Sequence, residues 1–212
     1  MTQPRDNVEP TFLAASLRCV IDLGRVATVN EMARQSAALA SLWRYTLTTI
    51  SIAATQADVE REHGKTRIER VDKDSAVNFV VISSGLRFYH SVGSAENERR
   101  AEATPLLVRS MSLHSPWELA MTTLAQTSTP VMYGMAALVS LERIMKMIRE
   151  FQSHRQDMLD RQVRRDLLRR ASPYPTLAGG EFLPTAELSA AEDSVEQLVR
   201  HPILGVDVTN DA

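Results

Sequence analysis

Residues 115–170 read SPWELAMTTLAQTSTPVMYGMAALVSLERIMKMIREFQSHRQDMLDRQVRRDLLRR and carry the features on which the fold prediction depends. Ser115, Pro116 and Glu118 together are typical of a helix start, because each satisfies or dispenses with a backbone N–H that the first turn leaves unpaired. Residues 119–141 then follow without a single charged side chain. The stretch therefore predicts a helix that begins at Ser115.

Pro130 interrupts this uncharged segment. Proline cannot donate the backbone hydrogen bond that a helix interior needs, so the helix should break before it and restart at Ser128 or Thr129. We expect the second helix to cover residues 129–171, a length of about 60 Å at 1.5 Å per residue. A small domain cannot cover that length, so the distal half should project or meet another chain.

The long predicted helix carries an apolar stripe with a spacing near seven residues, which is typical of a short and imperfect coiled coil. We predict that this stripe, called the seam below, forms a homo-oligomer or protein-partner interface. Packing against the protein's own core and contact with a membrane surface are the alternatives. The seam consists of Leu141, Ile144, Ile148, Phe151, Met158, Leu159, Val163 and Leu167.

Arginines cluster at the end of the same predicted helix. Clustered basic side chains neutralise phosphates, so they could contact nucleic acid or another anionic partner. The helix macrodipole and three nearby aspartates offer a purely structural explanation, and no nucleic-acid fold motif accompanies the cluster. The candidate contact residues are Arg161, Arg164, Arg165, Arg169 and Arg170.

Residues 119–141 also raise the question of a membrane span, because 23 residues at 1.5 Å each could cross about 30 Å of hydrocarbon. Threonine and glutamine crowd the first half, however, and only residues 131–141 are densely apolar. That shorter length is typical of a buried helix. A helix facing the core or a partner is favoured, and membrane insertion stays an alternative.

The N-terminal half begins with a well-specified helix. Thr28 and Glu31 form a capping box, and the apolar spacing after them predicts a helix over residues 29–59 with Trp43 as a buried anchor. Residues 12–23 are apolar but too short to separate helix from strand by periodicity, and we lean towards a helix there.

Strand-like composition follows this helix. Residues 66–71, 77–83 and 106–113 are rich in β-branched or alternating apolar side chains and are bounded by turn residues, so each predicts a strand. Three strands between two helical regions indicate a small antiparallel sheet packed on helices. We therefore assign residues 11–128 to an α+β core.

The two ends of the chain are predicted to be less regular. Residues 1–10 are polar and contain two prolines, which indicates a flexible leader. Residues 172–184 hold three prolines and two adjacent glycines, which indicates a linker. Ser189 and Glu192 form a second capping box, so we assign residues 172–212 to a linker and a short C-terminal helix, whose acidic residues could mask the arginines.

Composition places few limits on function. The 212 residues are 44% hydrophobic and 24% charged, as in ordinary folded proteins. Cys19 is the single cysteine, which excludes an intramolecular disulfide and fits a reducing compartment. The N-terminus lacks the apolar segment of a secretory signal, so we expect a cytoplasmic protein, with association at the inner face of the membrane as an alternative. Arginine supplies 21 of the 24 basic residues, which suggests a GC-rich bacterial or phage origin.

Catalytic and metal-binding motifs are absent from the sequence. The five histidines lack the spacing of a zinc site, and one cysteine cannot build one. Gly64, Lys65 and Thr66 resemble the end of a phosphate-binding loop, but Val59 stands where that loop needs its first glycine. We therefore expect no catalytic residues, no metal and no cofactor.

These observations predict a mainly α, α+β fold in which a small antiparallel sheet of about three strands packs on helices and a long helix projects from it. We interpret the chain as a non-enzymatic interaction or assembly protein that uses the helix over 129–171 for self-association or partner binding. An enzyme of unrecognised type, with an active site assembled from residues distant in sequence, stays open, and so do two binding alternatives. One is a membrane-associated effector that inserts residues 119–141, and the other is a nucleic-acid-binding accessory protein that acts through the arginine-rich helix end.

Overall fold

A computed structural model of the chain describes residues 14–25, 27–71, 79–90, 104–112, 116–123, 128–178, 183 and 185–211. It shows a mixed α+β protein with two antiparallel sheets. The strands and helices, in chain order, are β1 (Ala14–Ile21), α1 (Val29–His63), β2 (Thr66–Arg70), β3 (Phe79–Ser83), β4 (Leu86–His90), β5 (Leu106–Met111), β6 (Trp117–Thr123), α2 (Ser128–Glu150), α3 (Arg161–Ala171), α4 (Pro175–Ala178), α5 (Thr185–Val199) and β7 (Ile203–Asp211).

Helix α1 begins where the sequence predicts. The Thr28 hydroxyl accepts a hydrogen bond from the Glu31 backbone N–H at 3.2 Å, and the Glu31 carboxylate accepts one from the Thr28 N–H at 2.9 Å. These two bonds confirm the capping box. Trp43 is buried as expected, and its indole N–H donates to the Thr104 carbonyl at 3.2 Å. The helix ends at His63, and the next residue, Gly64, has a φ of 80° that is accessible to glycine at little cost.

The larger sheet has the strand order β5-β6-β1-β7, with every neighbour antiparallel. Its central strand β1 pairs with β6 on one side and β7 on the other, so that Cys19 lies between Leu119 and Val206. All three side chains are buried and belong to the main hydrophobic core. The prediction that residues 12–23 lean towards a helix is therefore wrong for the part that forms β1.

The predicted helix start at Ser115 is also wrong, because Trp117–Thr123 is strand β6. Its side chains alternate between buried and half-buried, which is the period of a strand rather than a helix. Pairing with β1 and β5 satisfies its backbone on both sides and outweighs the local capping signal.

The structure does not show one long helix over residues 129–171. Helix α2 ends at Glu150, and two short 3-10 turns, Phe151–His154 and Asp157–Leu159, follow it. Asp160 then caps a new helix, α3, because its carboxylate accepts a hydrogen bond from the Gln162 backbone N–H at 2.7 Å. The polar run QSHRQD at residues 152–157 offers no apolar side chain to bury, which fits the interruption.

The C-terminal region is more ordered than the predicted linker and short helix. Helix α5 begins at Thr185, so Ser189 and Glu192 lie inside it and do not cap its start. Strand β7 follows α5 and completes the larger sheet, although the sequence analysis assigned no strand there. Part of the predicted linker packs on the core as well, because Leu177 and Leu183 are buried.

The smaller sheet has the order β2-β3-β4 and packs against the second half of α1. A two-residue turn joins β3 to β4, and both of its residues, Ser84 and Gly85, have positive φ angles of 49° and 84°. Such turns match the twist of a hairpin. The His63 ring stacks on Phe88 with 4.7 Å between ring centroids, which fixes the end of α1 against β4.

Helix α2 covers most of the inner face of the larger sheet, where it contacts β7, β1 and β6. Gly134 allows its close approach to the sheet, since a Cβ at this position would lie 3.0 Å from the Thr123 Cγ2. Helices α1, α3 and α5 pack on the other sides of α2. This helical layer reaches β6 and leaves the inner face of β5 largely exposed, as described below.

Candidate functional sites

The seam residues lie mainly in the protein's own core. Leu141, Ile144, Ile148, Met158 and Leu167 are buried, and Phe151 and Val163 are half-buried. Leu159 differs from the others, with 68% of its surface exposed. The seam therefore presents one strongly exposed apolar side chain to solvent, and its other members stabilise the packing of α2 and α3.

Arg164 is the most buried member of the arginine cluster, with 3% of its surface exposed. Its Nη1 donates to the carbonyl of Met158 at 2.6 Å and to that of Leu159 at 2.9 Å. The same nitrogen lies 3.3 Å from a carboxylate oxygen of Glu196 on α5. Arg164 thus ties the end of a 3-10 turn to two helices.

Arg161 and Arg165 also connect α3 to α5. The Nε of Arg165 donates to Glu192 Oε1 at 2.8 Å, and the Nε of Arg161 lies 3.6 Å from Glu192 Oε2. Glu192 is 1% exposed, so its charge is neutralised inside the interface. Arg169 and Arg170 are exposed, and Arg161 is exposed as well despite its contact with Glu192.

Strand β5 presents apolar side chains to solvent at one edge of the larger sheet. Val108 and Met111 lie opposite Met121 and Leu119 of β6, so their side chains share the face that the core occupies. Their surfaces are nevertheless 58% and 46% exposed. The sequence predicted this strand but not its exposure, because the extent of the helical layer decides it.

A second candidate site is a cleft of about 430 Å³ between α1 and α5. Most of its lining residues are small, and Arg44 on α1 and Glu187 on α5 provide the charges. Tyr45 contributes a buried ring whose hydroxyl donates to the Ala178 carbonyl at 3.3 Å, and burial raises its pKa. The other lining residues are Ala37, Ala40, Ser41, Ala186 and Ala190.

Glu187 is the acidic side chain in the lining of this cleft, and one of its carboxylate oxygens lacks a hydrogen bond within the described part of the chain. Its Oε2 is shielded from water and has no hydrogen-bond partner among the residues that the structure describes. Burial raises the pKa of Glu187 above its ordinary value, whereas a hydrogen bond with Thr48 and the charge of Arg44 lower it by less. No sequence pattern singles out Glu187, because it lies between the predicted linker over residues 172–184 and the predicted helix start at Ser189.

We predict that Glu187→Gln stabilises the folded protein by about 1 kcal/mol near neutral pH, because an unpaired buried carboxylate oxygen is costly. The raised pKa means that the folded state binds this proton more tightly than the unfolded state. The stability of the native protein should therefore fall as pH rises from the ordinary value of 4.5 through the raised one. Urea unfolding over this pH range measures the difference.

The matched control for this prediction is Glu60→Gln, the same change at an exposed position of α1. It should alter stability by less than about 0.5 kcal/mol. The gain from Glu187→Gln should shrink in acid, where both forms are neutral. A gain that is constant with pH would show that the carboxylate charge is not its source.

Cys19 does not provide a nucleophile to either candidate site. Its side chain is buried in β1, and burial, together with the charge of Asp207, raises the pKa of the thiol to about 12. A thiol in this environment stays protonated and packs as a small apolar side chain.

Membrane spans and metal sites are both absent from the part of the chain that the structure describes. No helix there combines the length and the apolar character needed to cross a bilayer, and residues 119–141 do not form one helix, because β6 occupies their first part. No group of three or more His, Cys, Asp or Glu side chains in the same part is placed to hold a metal ion.

Comparisons with known proteins give no further guidance. The chain matches no protein-family model, no curated protein and no solved structure. The role of each surface therefore has to be inferred from its geometry.

Proposed function

We propose that the chain is a non-enzymatic interaction and assembly protein that self-associates through the exposed edge strand β5. The observation that carries the proposal is that Val108 and Met111 lie on the core side of the sheet and are still about half exposed. Burying apolar surface of this kind is the main driving force of protein association. A second copy of the chain would supply the missing cover.

The direction of β5 suits pairing with a second copy. A two-fold axis perpendicular to the sheet would bring two β5 strands together in antiparallel order and extend four strands to eight. Among the strands that the structure describes, β5 stands at the edge of its sheet, and edge strands are ready templates for such addition. The inner faces of both copies would then lie on the same side, so that the exposed apolar side chains adjoin.

The charged side chain of β5 stands at an irregularity of the strand, between Val108 and Ser110. Arg109 turns towards its own sheet, since its Nη1 lies 3.4 Å from the Ser16 hydroxyl on β1. This contact draws the guanidinium away from the outer edge, where the arginines of two paired copies would otherwise repel each other.

This proposal places association at β5 and not at a projecting helix over 129–171. Five seam residues are already buried, so they are not available to a partner without unfolding. An anionic partner would meet the exposed Arg161, Arg169 and Arg170 first. Arg161 already contacts α5, and Arg164 and Arg165 are held by the adjacent turn and by α5. Nucleic-acid and membrane binding remain weaker proposals for this reason.

The test is the Val108→Lys variant, measured by sedimentation velocity over a wide concentration range. A lysine at the centre of the joined strands would place like charges near each other in a dry interface. We expect the dissociation constant of the dimer to rise by about a hundredfold. Circular dichroism should show an unchanged fold, because the side chain is 58% exposed in the single chain.

Leu204→Lys is the matched control. Leu204 lies on β7 at the opposite edge of the same sheet, and its exposure of 47% is close to that of Met111. This variant should keep the native dissociation constant. The proposal fails if the native chain stays monomeric at high concentration, or if the two variants dissociate equally.

A further inference from the structure

Met111 on β5 is the most exposed of the methionines whose exposure the structure describes. Its side chain belongs to a residue with 46% of its surface exposed. An oxidant dissolved in water therefore reaches the sulfur of Met111 more readily than the sulfurs of the other described methionines. Those others are buried, as are Met32, Met121, Met145 and Met158, or half-buried, as are Met135 and Met147.

Met121 shows how strongly the position on the sheet decides this access. It lies on β6, the neighbour of β5, and on the same face of the sheet as Met111, because Met121 pairs with Val108 and Met111 pairs with Leu119. Only 2% of the surface of Met121 is exposed. The helical layer covers β6 and leaves β5 largely open, so two methionines on one face of adjacent strands differ sharply in contact with solvent.

We infer that Met111 is a site of reversible oxidation by peroxides, and that its oxidation separates the two copies of the proposed dimer. The inference rests on the proposed function, because it gives the β5 interface a chemical control. Met111 and Val108 supply the apolar surface that a second copy would cover. A change in the polarity of Met111 therefore acts directly on association.

The reaction transfers one oxygen atom. A lone pair of the thioether sulfur attacks one oxygen of hydrogen peroxide, the O–O bond breaks and an S–O bond forms. The displaced hydroxide takes the proton of the transferred oxygen and leaves as water, so that sulfur loses two electrons and the peroxide gains them. Two thiols of a methionine sulfoxide reductase reverse the step and yield the thioether, a disulfide and water.

The sulfoxide is unfavourable in an apolar interface. Oxidation turns a flexible apolar side chain into a polar one with an acceptor oxygen. Water hydrogen-bonds to this oxygen in the separate chain, whereas apolar side chains would surround it in the dimer. Because a buried acceptor without a donor is costly, the dissociation constant of the dimer should rise by about tenfold or more on oxidation.

Association should in turn protect Met111 from the oxidant. If the dimer covers this side chain, peroxide reacts with it only in the separate chain, and mass action sets the fraction of separate chains. The rate of oxidation per chain at Met111 should therefore fall as the protein concentration rises. The rate at Met147, a half-buried methionine of α2, should stay constant. A rate at Met111 that does not change while the dimer forms would contradict the inference.

The main experiment treats the intact chain with dilute hydrogen peroxide. Peptide mass spectrometry locates the added oxygen, and sedimentation velocity measures the dissociation constant before and after treatment. Met111 should be oxidised at least about tenfold faster than Met121, because the buried sulfur reacts only when the structure opens locally. Treatment with methionine sulfoxide reductases should restore the dimer, and circular dichroism should show an unchanged fold throughout.

Two leucine variants assign the effect to one sulfur atom. Met111→Leu removes the oxidisable group and keeps an apolar side chain of similar volume. The comparison is between the treated and the untreated variant, and peroxide should leave its dissociation constant unchanged. Met147→Leu removes a methionine of α2, outside the proposed interface, so this variant should dissociate after treatment as the native chain does.

The outcomes separate this inference from the proposed function. A native chain that stays monomeric at high concentration overturns both. If the native chain forms a dimer that Val108→Lys disrupts, but peroxide does not raise its dissociation constant, only the inference about Met111 is overturned. The same holds if Met121 is oxidised as fast as Met111, or if peroxide dissociates Met111→Leu as strongly as the native chain.

Discussion

Replacing Arg164 with alanine is expected to destabilise the protein by about 3 kcal/mol, because the change removes a buried and hydrogen-bonded charge. The carbonyl groups of Met158 and Leu159 would lose the donor that both share. Glu196 would lose one of its two cationic partners and keep the other, Arg200, at 3.0 Å. Urea denaturation of the native and variant proteins measures the difference.

The position of Arg164 explains why the effect should be large. The side chain lies where α3 meets the 3-10 turn before it, and it holds both to α5. Water cannot readily replace the hydrogen bonds of Arg164, because only 3% of the surface of this residue is exposed. Loss of the side chain would also leave a cavity in the packed interior, which adds to the cost.

Two further variants separate the causes. Arg164→Met keeps much of the side-chain volume and removes the donors, so it should recover only the part of the loss that comes from the cavity. Arg169→Ala changes an exposed arginine of the same helix and should cost less than about 0.5 kcal/mol. Equal losses for Arg164→Ala and Arg169→Ala would show that the buried contacts contribute little.

The parts of the fold that the sequence predicted well depend on local interactions. The capping box of Thr28 and Glu31 involves residues three positions apart, so its two hydrogen bonds are visible in the sequence. Strands β2 and β3 lie within the predicted ranges, because each combines β-forming side chains with flanking turn residues.

Strand β6 shows why a local signal can mislead. Ser115 and Pro116 resemble a helix start, but the side chains from Trp117 onwards alternate with a period of two. Pairing with β1, about 100 residues earlier in the chain, decides between the two readings. The ion pair between Arg18 and Glu118, 2.7 Å apart, joins the same two strands and could not be inferred from spacing.

The candidate sites were harder to predict than the strands and helices. Val108 is exposed because the helices packed on the sheet leave β5 largely uncovered, which is a property of tertiary packing. Glu187 and Arg44 are 143 positions apart in sequence and meet only because α5 packs on α1. The spacing of residues along one helix carries no information about contacts between two helices that are distant in sequence.

The binding partner of the arginine cluster is also hard to predict from the sequence, because it depends on contacts with a distant helix. The charge of the cluster predicts an anionic partner, and the acidic residues of the C-terminal region are candidates to mask it. The structure brings Glu192 and Glu196 of α5 to three of these arginines. The partner that the sequence could not identify is, for this part of the cluster, a helix of the same chain.

Ile148→Ala is expected to destabilise the fold by about 3 kcal/mol, within the range for truncating a fully buried aliphatic side chain. Ile148 belongs to the seam that the sequence predicted as an interface, but it has no exposed surface and lies in the main core cluster. The loss should appear in urea denaturation. It should leave the dissociation constant of any dimer unchanged under native conditions.

Leu159→Ala is the control for this last prediction, because Leu159 belongs to the same seam and is 68% exposed. Its truncation should change the free energy of unfolding by less than about 0.5 kcal/mol. The two variants distinguish a core from an interface, since an interface residue affects association more than folding. If Ile148→Ala dissociates a dimer without lowering the stability of the single chain, the seam is an interface after all, and the packing of α2 against the core must differ from that described above.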